Sequence, residues 1–418
     1  MESKKILKFL PETIIFAFAG LTRFVNLGYP KGHMFDEVYH AFTAQEMFRN
    51  NPAAWEWWNT PPSGFAFEWT HPPLAKEFMA LSISIFGDTS FAWRFFSAFF
   101  SLFSIVLVYL ITLKLFKNRA IALLASFVAS LDGLLLVMGR IAMNDSYFVF
   151  FSLLAIFLYL SNRKFLMAIS LGLALSSKWT VVFVIGVIFI FELYKLIQEK
   201  YKDRLKFLKN SLFLFSIPLV VYLLSYAPFF LGKHIPPSTN FNIFETFIEL
   251  QKQMFLYHKN LVATHPYQSQ PLDWILNLKP VWVFVEYKEN LISSIYTLGN
   301  PLFVLGGLFS VIVLILQYLK KRSLNLFVIL ISYFIFFLPW IFSPRIMFNY
   351  HYLLSSFFLA ISQGVAFSYL FKIKYGKIFI LSYLILMSVL FIYFYPLWTG
   401  LPIDKSLYDS YFWLKSWK

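Results

Sequence analysis

Apolar runs close to membrane length recur along almost the whole chain, from Leu10 to Pro396. A helix needs roughly 20 such residues to cross a hydrocarbon core about 30 Å thick. Only 14% of the residues are charged and 59% are hydrophobic, whereas a soluble domain carries roughly 25% charged residues. The pattern predicts an all-α polytopic membrane protein, with about eleven transmembrane helices. The expected spans lie near 10–28, 92–116, 120–139, 144–161, 165–180, 181–197, 210–230, 299–319, 324–343, 350–371 and 377–396. The fifth and sixth abut around Lys178. A long connection at 29–91 follows the first span and is expected to hold short interfacial helices at 36–49 and 74–86. A second long connection covers 231–298, and an aromatic tail at 397–418 closes what reads as a single integral-membrane domain, 1–418. The opening segment Met1–Lys8 has the charge order of a signal peptide. It lacks a small-x-small cleavage site, so an uncleaved first helix is expected.

Charge placement orients the bundle. With the N-terminus in the cytoplasm, the inner segments collect Lys4, Lys5 and Lys8; Lys114, Lys117 and Arg119; Arg163 and Lys164; Lys195, Lys200, Lys202, Arg204, Lys206 and Lys209; Lys320, Lys321 and Arg322; and Lys372, Lys374 and Lys377. These are more than half of the 36 basic residues, set against Glu2, Glu12, Glu192, Glu199 and Asp203. The inner face then carries essentially the whole net charge of +15, and the outer face balances. That is the positive-inside pattern. The basic excess is therefore a topology signal and an attraction to anionic membrane lipids, and no nucleic-acid partner is implied. Both long connections and the C-terminal tail fall on the outer side. The chain has no cysteine, which excludes disulfides and thiolate metal sites.

Costly polar groups collect at that outer face. Asp36-Glu37 stands just past the first span, in a connection rich in tryptophan (Trp55, Trp57, Trp58, Trp69) that continues to His71-Pro72-Pro73-Leu74-Ala75-Lys76. Asp132, Arg140 and Asp145 flank the junction of spans three and four, Lys178 that of five and six, and Arg345 and His351 that of nine and ten. Ionisable groups close to lipid are expensive and usually functional or paired. Each has a structural reading as well. Asp132, Arg140 and Asp145 make sense as an ion-pair network. Lys178 could snorkel to the interface, Arg345 could anchor there, His71 could mark a rigid corner, and the tryptophans could form an interfacial belt. Asp36-Glu37 is hardest to explain as a solvated pair.

The chain resembles the protein O-mannosyltransferases, membrane enzymes of the GT-C class that use a polyprenyl-phosphate sugar. The resemblance rests on His33-Met34-Phe35-Asp36-Glu37-Val38-Tyr39, His71 to Lys76, Leu131 to Ser146, Ser176-Ser177-Lys178-Trp179-Thr180, His265-Pro266-Tyr267-Gln268-Ser269-Gln270 with Lys279-Pro280-Val281-Trp282, Gly299-Asn300-Pro301, and His351-Tyr352-Leu353-Leu354, in that order. The 231–298 connection is too short for the β-trefoil (MIR) domain of the eukaryotic members, so the chain looks like the compact prokaryotic type.

The resemblance implies an inverting transfer of mannose, or a similar hexose, from a polyprenyl-phosphate carrier to serine or threonine hydroxyls of exported proteins at the plasma membrane. Asp36 matches the catalytic base, with Glu37 beside it positioning the acceptor. Arg140 would steady the leaving phosphate, supported by Lys76 and Arg345. His71, Asp145, Lys178, His265, Gln268 and His351 would line donor or acceptor. One base suffices because the phosphate leaves unprotonated, unlike the carboxyl pair of a glycosidase. No cofactor is strictly required. A divalent metal is permitted, but no ligand spacing of a dedicated site is seen. Two other readings compete: a GT-C transferase acting on a lipid or cell-wall glycan, and a transporter or flippase. Against the transporter, no internal repeat with paired broken spans is visible.

The absence of cysteine makes the topology directly measurable. A single cysteine in place of Trp57 should react with an impermeant thiol reagent from outside intact cells, and one in place of Lys320 only after permeabilisation.

Overall fold

The computed structural model describes residues 9–198 and 204–418. The expected inner charges at Lys4, Lys5, Lys8, Lys200 and Lys202 lie outside the described residues. Among the described residues, seven helices are long and apolar enough to cross a membrane: Ser90–Phe116, Trp179–Ile197, Phe207–Ser225, Pro301–Lys321, Leu324–Phe342, Asn349–Leu370 and Gly376–Thr399. Three shorter apolar helices, Arg119–Ser130, Asp145–Leu160 and Lys164–Leu175, and the opening helix Leu10–Phe24 occupy the remaining expected spans. The chain is a polytopic helical membrane protein.

Burial sorts the helices. The apolar stretch of Asn349–Leu370 is 83% buried, whereas those of Phe207–Ser225 and Gly376–Thr399 are 22% buried. The first is a central post and the other two present most of their surface to lipid. Ser90–Phe116 packs on Arg119–Ser130 and Asp145–Leu160, which itself packs on Lys164–Leu175.

Buried polar residues set where some helices begin. The expected continuous span at 120–139 is broken at Leu131-Asp132. There the Asp132 carboxylate accepts the Leu135 N–H at 3.0 Å and starts a new turn, Gly133–Met138. Its other oxygen accepts the Asn300 N–H at 2.9 Å, and Asn300 caps the helix that begins at Pro301. Gly133 lies so close to Trp398 and the Leu298 carbonyl that any Cβ would collide. Asp132 is thus a helix cap, and no salt bridge joins Arg140 to Asp132 or to Asp145 among the described residues.

The long connections are structured. The first contains a 3-10 turn Phe35–Val38 and helices His40–Phe48 and Leu74–Phe86. The second holds the helix Ile243–Asn260 and a hairpin, β1 (Trp282–Lys288) with β2 (Leu291–Tyr296). The C-terminal tail adds β3 (Ile403–Asp404) to β2, so a small three-stranded sheet qualifies the all-α expectation. The two connections touch: His258 Nε2 donates to the Thr70 carbonyl at 2.8 Å, and His234 pairs with Glu56 at 2.9 Å.

One buried ion pair fixes the first connection. Arg94, at the start of a membrane helix, grips Glu37 through two bonds of 2.7 Å and also donates to the carbonyls of Pro30 at 2.8 Å and Gly32 at 2.9 Å. Both side chains are fully buried. Glu37 accepts two further N–H groups, from Met34 at 3.0 Å and Ala142 at 2.9 Å. Removing one partner would strand a buried charge. Arg94→Leu should cost about 3–5 kcal/mol, read as a lower unfolding temperature in detergent. Arg94→Lys, which cannot form the bidentate fork, should recover only part of that.

Candidate active site

A cleft of about 660 Å³ opens where the two connections meet the bundle. Its polar groups sit at helix ends, breaks and connections. Asp36, His40, Glu68 and His71 come from the first connection. Asn144 and Asp145 come from the start of the fourth span, Lys178 and Thr180 from the break before Val182, His258 from the second connection, and Arg345, Tyr350 and His351 from the turn before Leu353. Phe183, Trp340, Ile346 and Phe348 give it apolar walls.

Local chemistry aims Asp36 into this space. Phe35 has a φ of 50°, a left-handed conformation that costs an aromatic residue on the order of 1–3 kcal/mol. Its ring meets Phe348 and Tyr350 edge-on, and the Glu37–Arg94 pair clamps the following turn. The Asp36 carboxylate makes no hydrogen bond or ion pair among the described residues. Burial pushes its pKa up to about 7, and the negative charges of Asp145 and Glu68 reinforce the rise against Lys178. A carboxyl that titrates near neutrality suits proton abstraction.

The other two carboxylates of the cleft are neutralised. Glu68 is buried and bonded to Lys76, to Thr70 and to His71 Nδ1 at 2.8 Å. Although burial opposes it, the charge of Lys76 and contacts with His71 hold its pKa well below the usual range. Asp145 accepts from Lys178 Nζ at 2.8 Å. Burial pushes His40 down to about 3 and His258 down to about 4, so both rings are neutral near pH 7. Arg345 stands out among the cations lining the cleft. Its bonded neighbour is the neutral His258 ring, at 2.9 Å, and its buried Nε has no partner among the described residues.

Comparison with known proteins agrees with this geometry. Residues 13–231 match the family model for dolichyl-phosphate-mannose-protein mannosyltransferase, and residues 243–417 match the C-terminal four-TMM region of protein-O-mannosyltransferase. The chain belongs to this mannosyltransferase family. It is 24% identical to a polyprenol-phosphate-mannose–protein mannosyltransferase of Mycolicibacterium smegmatis over 97% of this chain and 92% of that protein. It is 25% identical to the Corynebacterium glutamicum enzyme of the same name, with the same coverage. The fold matches the S. cerevisiae protein O-mannosyltransferase Pmt1–Pmt2 complex bound to the sugar donor, with a TM-score of 0.81 and 16% identity over 98% of this chain and 92% of that one. The protein is therefore a membrane glycosyltransferase of the GT-C fold.

Within this mannosyltransferase fold the expected site residues divide. Asp36, His71, Asp145, Lys178, Arg345 and His351 line one cleft; Glu37, Lys76, Arg140, His265 and Gln268 do not. The expected meeting of Asp36 and Arg140 is corrected. Arg140 is buried and donates to the carbonyls of Thr22, Arg23, Val25 and Asn26 at 2.8–3.1 Å. It caps the end of the opening helix, where carbonyls lack intrahelical partners. Lys76 is committed to Glu68 and to the His71 carbonyl at 3.0 Å. Glu37 is consumed by Arg94, so it positions the turn that carries Asp36 and has no free oxygen face for an acceptor. His265 and Gln268 bond within their own turn, although the His265 ring meets Phe348 of the cleft wall. Sequence reasoning missed His40, Glu68, Asn144 and His258 in the cleft. Glu68, an acid three residues before His71, was the most accessible signal. No group of three or more His, Asp or Glu side chains able to hold a metal occurs among the described residues.

The elevated pKa sets a pH dependence. Asp36 works as a base only when ionised, so kcat/KM should fall as pH drops through about 7. Lys178 favours the ionised form, so Lys178→Met should move that limb to higher pH. Both follow from peptide-transfer rates measured between pH 5 and 9.

Proposed function

We propose that this chain transfers a mannosyl group from a polyprenyl-phosphate carrier to serine or threonine hydroxyls of exported proteins. The observation that carries the reading is one cleft with apolar walls that is lined both by Asp36, a carboxylate with no bonded partner among the described residues, and by the cations Lys178 and Arg345. The acceptor hydroxyl gives its proton to Asp36 as its oxygen bonds to the anomeric carbon. The bond from that carbon to the phosphate oxygen breaks, and its electron pair leaves with the phosphate, so configuration inverts. Charge grows on the phosphate, and cations held in a water-poor site stabilise it strongly. Arg345 offers a planar fork for two phosphate oxygens, whereas the charge of Lys178 is already shared with Asp145. The names of the bacterial relatives and the donor-bound yeast structure support this donor class.

In this reading the chain is one integral-membrane domain, 1–418, in the plasma membrane. The N-terminus is cytoplasmic, and 29–91, 231–298 and the 397–418 tail lie on the extracytoplasmic side. The positive-inside charge distribution supports that orientation, and the contact between the two long connections supports a common side for them.

Purified enzyme with polyprenyl-phosphate mannose and a threonine peptide, read by mass spectrometry, tests the function. A lipid acceptor in a parallel reaction tests the glycan alternative. Asp36→Asn should cut transfer roughly 10²–10⁴-fold while the protein still inserts, and near-normal turnover would eliminate the base. Arg345→Ala should raise the KM for the donor and lower kcat, with little effect on the KM for peptide.

A further inference from the structure

Arg345 needs a partner that aims it, and a carboxylate would cancel the charge on offer. The partner found is His258, in the last turn of the helix Ile243–Asn260. Its Nδ1 lies 2.9 Å from Arg345 Nη1, and its Nε2 lies 2.8 Å from the Thr70 carbonyl. A guanidinium can only donate and a carbonyl can only accept. Nδ1 therefore accepts and Nε2 carries the hydrogen, which selects one neutral tautomer. The ring is held in place by His71, with ring centres 4.9 Å apart, and by Trp179 at 6.2 Å. Glu68, a carboxylate of the first connection that lines the same cleft, is itself committed to Lys76 and His71.

We propose that His258 is a positioning residue that orients the Arg345 guanidinium toward the cleft without neutralising it. Thr70 belongs to the same connection as Asp36, so the Thr70–His258–Arg345 chain registers the cationic wall against the base. The inference rests on the reading of Arg345 as a donor-phosphate ligand.

The test uses full-length enzyme in proteoliposomes, with the KM for polyprenyl-phosphate mannose, the KM for peptide and kcat measured separately. His258→Leu should raise the donor KM by roughly tenfold, the scale of a lost hydrogen bond to a charged group, and leave the peptide KM unchanged. His258→Asn places an acceptor oxygen near the position of Nδ1 and should recover most of the loss. His258→Gln mimics the Nε2 side and should not. In Arg345→Ala, the further change His258→Leu should add nothing. Because Asn and Gln are both polar, their contrast stands even if His258→Leu fails to fold. Equal donor KM values for the Asn and Gln variants, or fully additive losses in the double variant, overturn the positioning role. If Arg345→Ala leaves the donor KM unchanged, the phosphate reading itself falls, and the inference falls with it. A raised donor KM in Arg345→Ala with wild-type behaviour in His258→Leu sinks the inference alone.

Discussion

The bidentate contact between Glu37 and Arg94 is the constraint on which the rest of the site depends. A base at a membrane surface must be held still at the end of a helix whose neighbours are lipid and loop. Loops ordinarily move more than the elements they join. Here a fully buried ion pair, two carbonyl bonds and two backbone N–H groups fasten residues 30–37 to the helix Ser90–Phe116 and to Ala142. Such a pair adds less net stability than its Coulomb energy suggests, because both ions lose water. Its effect is geometric. It fixes the turn at Glu37, and Asp36, the preceding residue, points the other way into the cleft.

The cleft follows from where helices are allowed to stop. In a bilayer every backbone group must be satisfied internally, so irregular backbone is tolerated only when buried in protein or lining a cavity. Helix breaks at 139–144, 176–181 and 343–348 cluster on one side, beneath the two long connections. Each break brings a polar side chain with it: Asp145, Lys178 and Arg345. Arg140 belongs to the same economy in a different role, satisfying four carbonyls at the end of the opening helix. Without it the Arg23 carbonyl, on a fully buried residue, would lose the side-chain donor at 2.8 Å that serves it.

Much of this architecture was legible in the sequence. The apolar runs located the helices, and the expected interfacial helix at 74–86 coincides with Leu74–Phe86. The convergence of Asp36, His71, Asp145, Lys178, Arg345 and His351 on one side followed from alternating topology alone. The failures have a common cause. Sequence shows that an ion is present near lipid but not what it bonds to. Arg140 was the expected phosphate ligand and Arg345 its support, yet the first faces the carbonyl end of a helix and the second a neutral imidazole. Glu37 and Glu68 were likewise indistinguishable from free carboxylates until Arg94 and Lys76 were found against them. The hairpin was missed because its first strand opens with a continuous apolar run, Trp282 to Val285, and its second reads Leu291-Ile292-Ser293-Ser294-Ile295-Tyr296, so neither shows a clear apolar–polar alternation.

The decisive contrast lies among the carboxylates themselves. Glu37, Glu68 and Asp145 each bond to a cation, and for Glu68 that contact holds the proton affinity well below the usual carboxylate range. A base with strongly depressed affinity is a poor proton acceptor. Asp36 is the carboxylate of the cleft left without such a partner among the described residues, and burial together with two like charges raises its affinity instead. Arg345, which lines the same cleft and has a neutral imidazole rather than a carboxylate as its bonded neighbour, would thereby stay available to a departing phosphate. An arrangement that paired Asp36 with Arg345 would be more comfortable in the resting protein. It would also spend on each other the two groups whose separation drives the transfer.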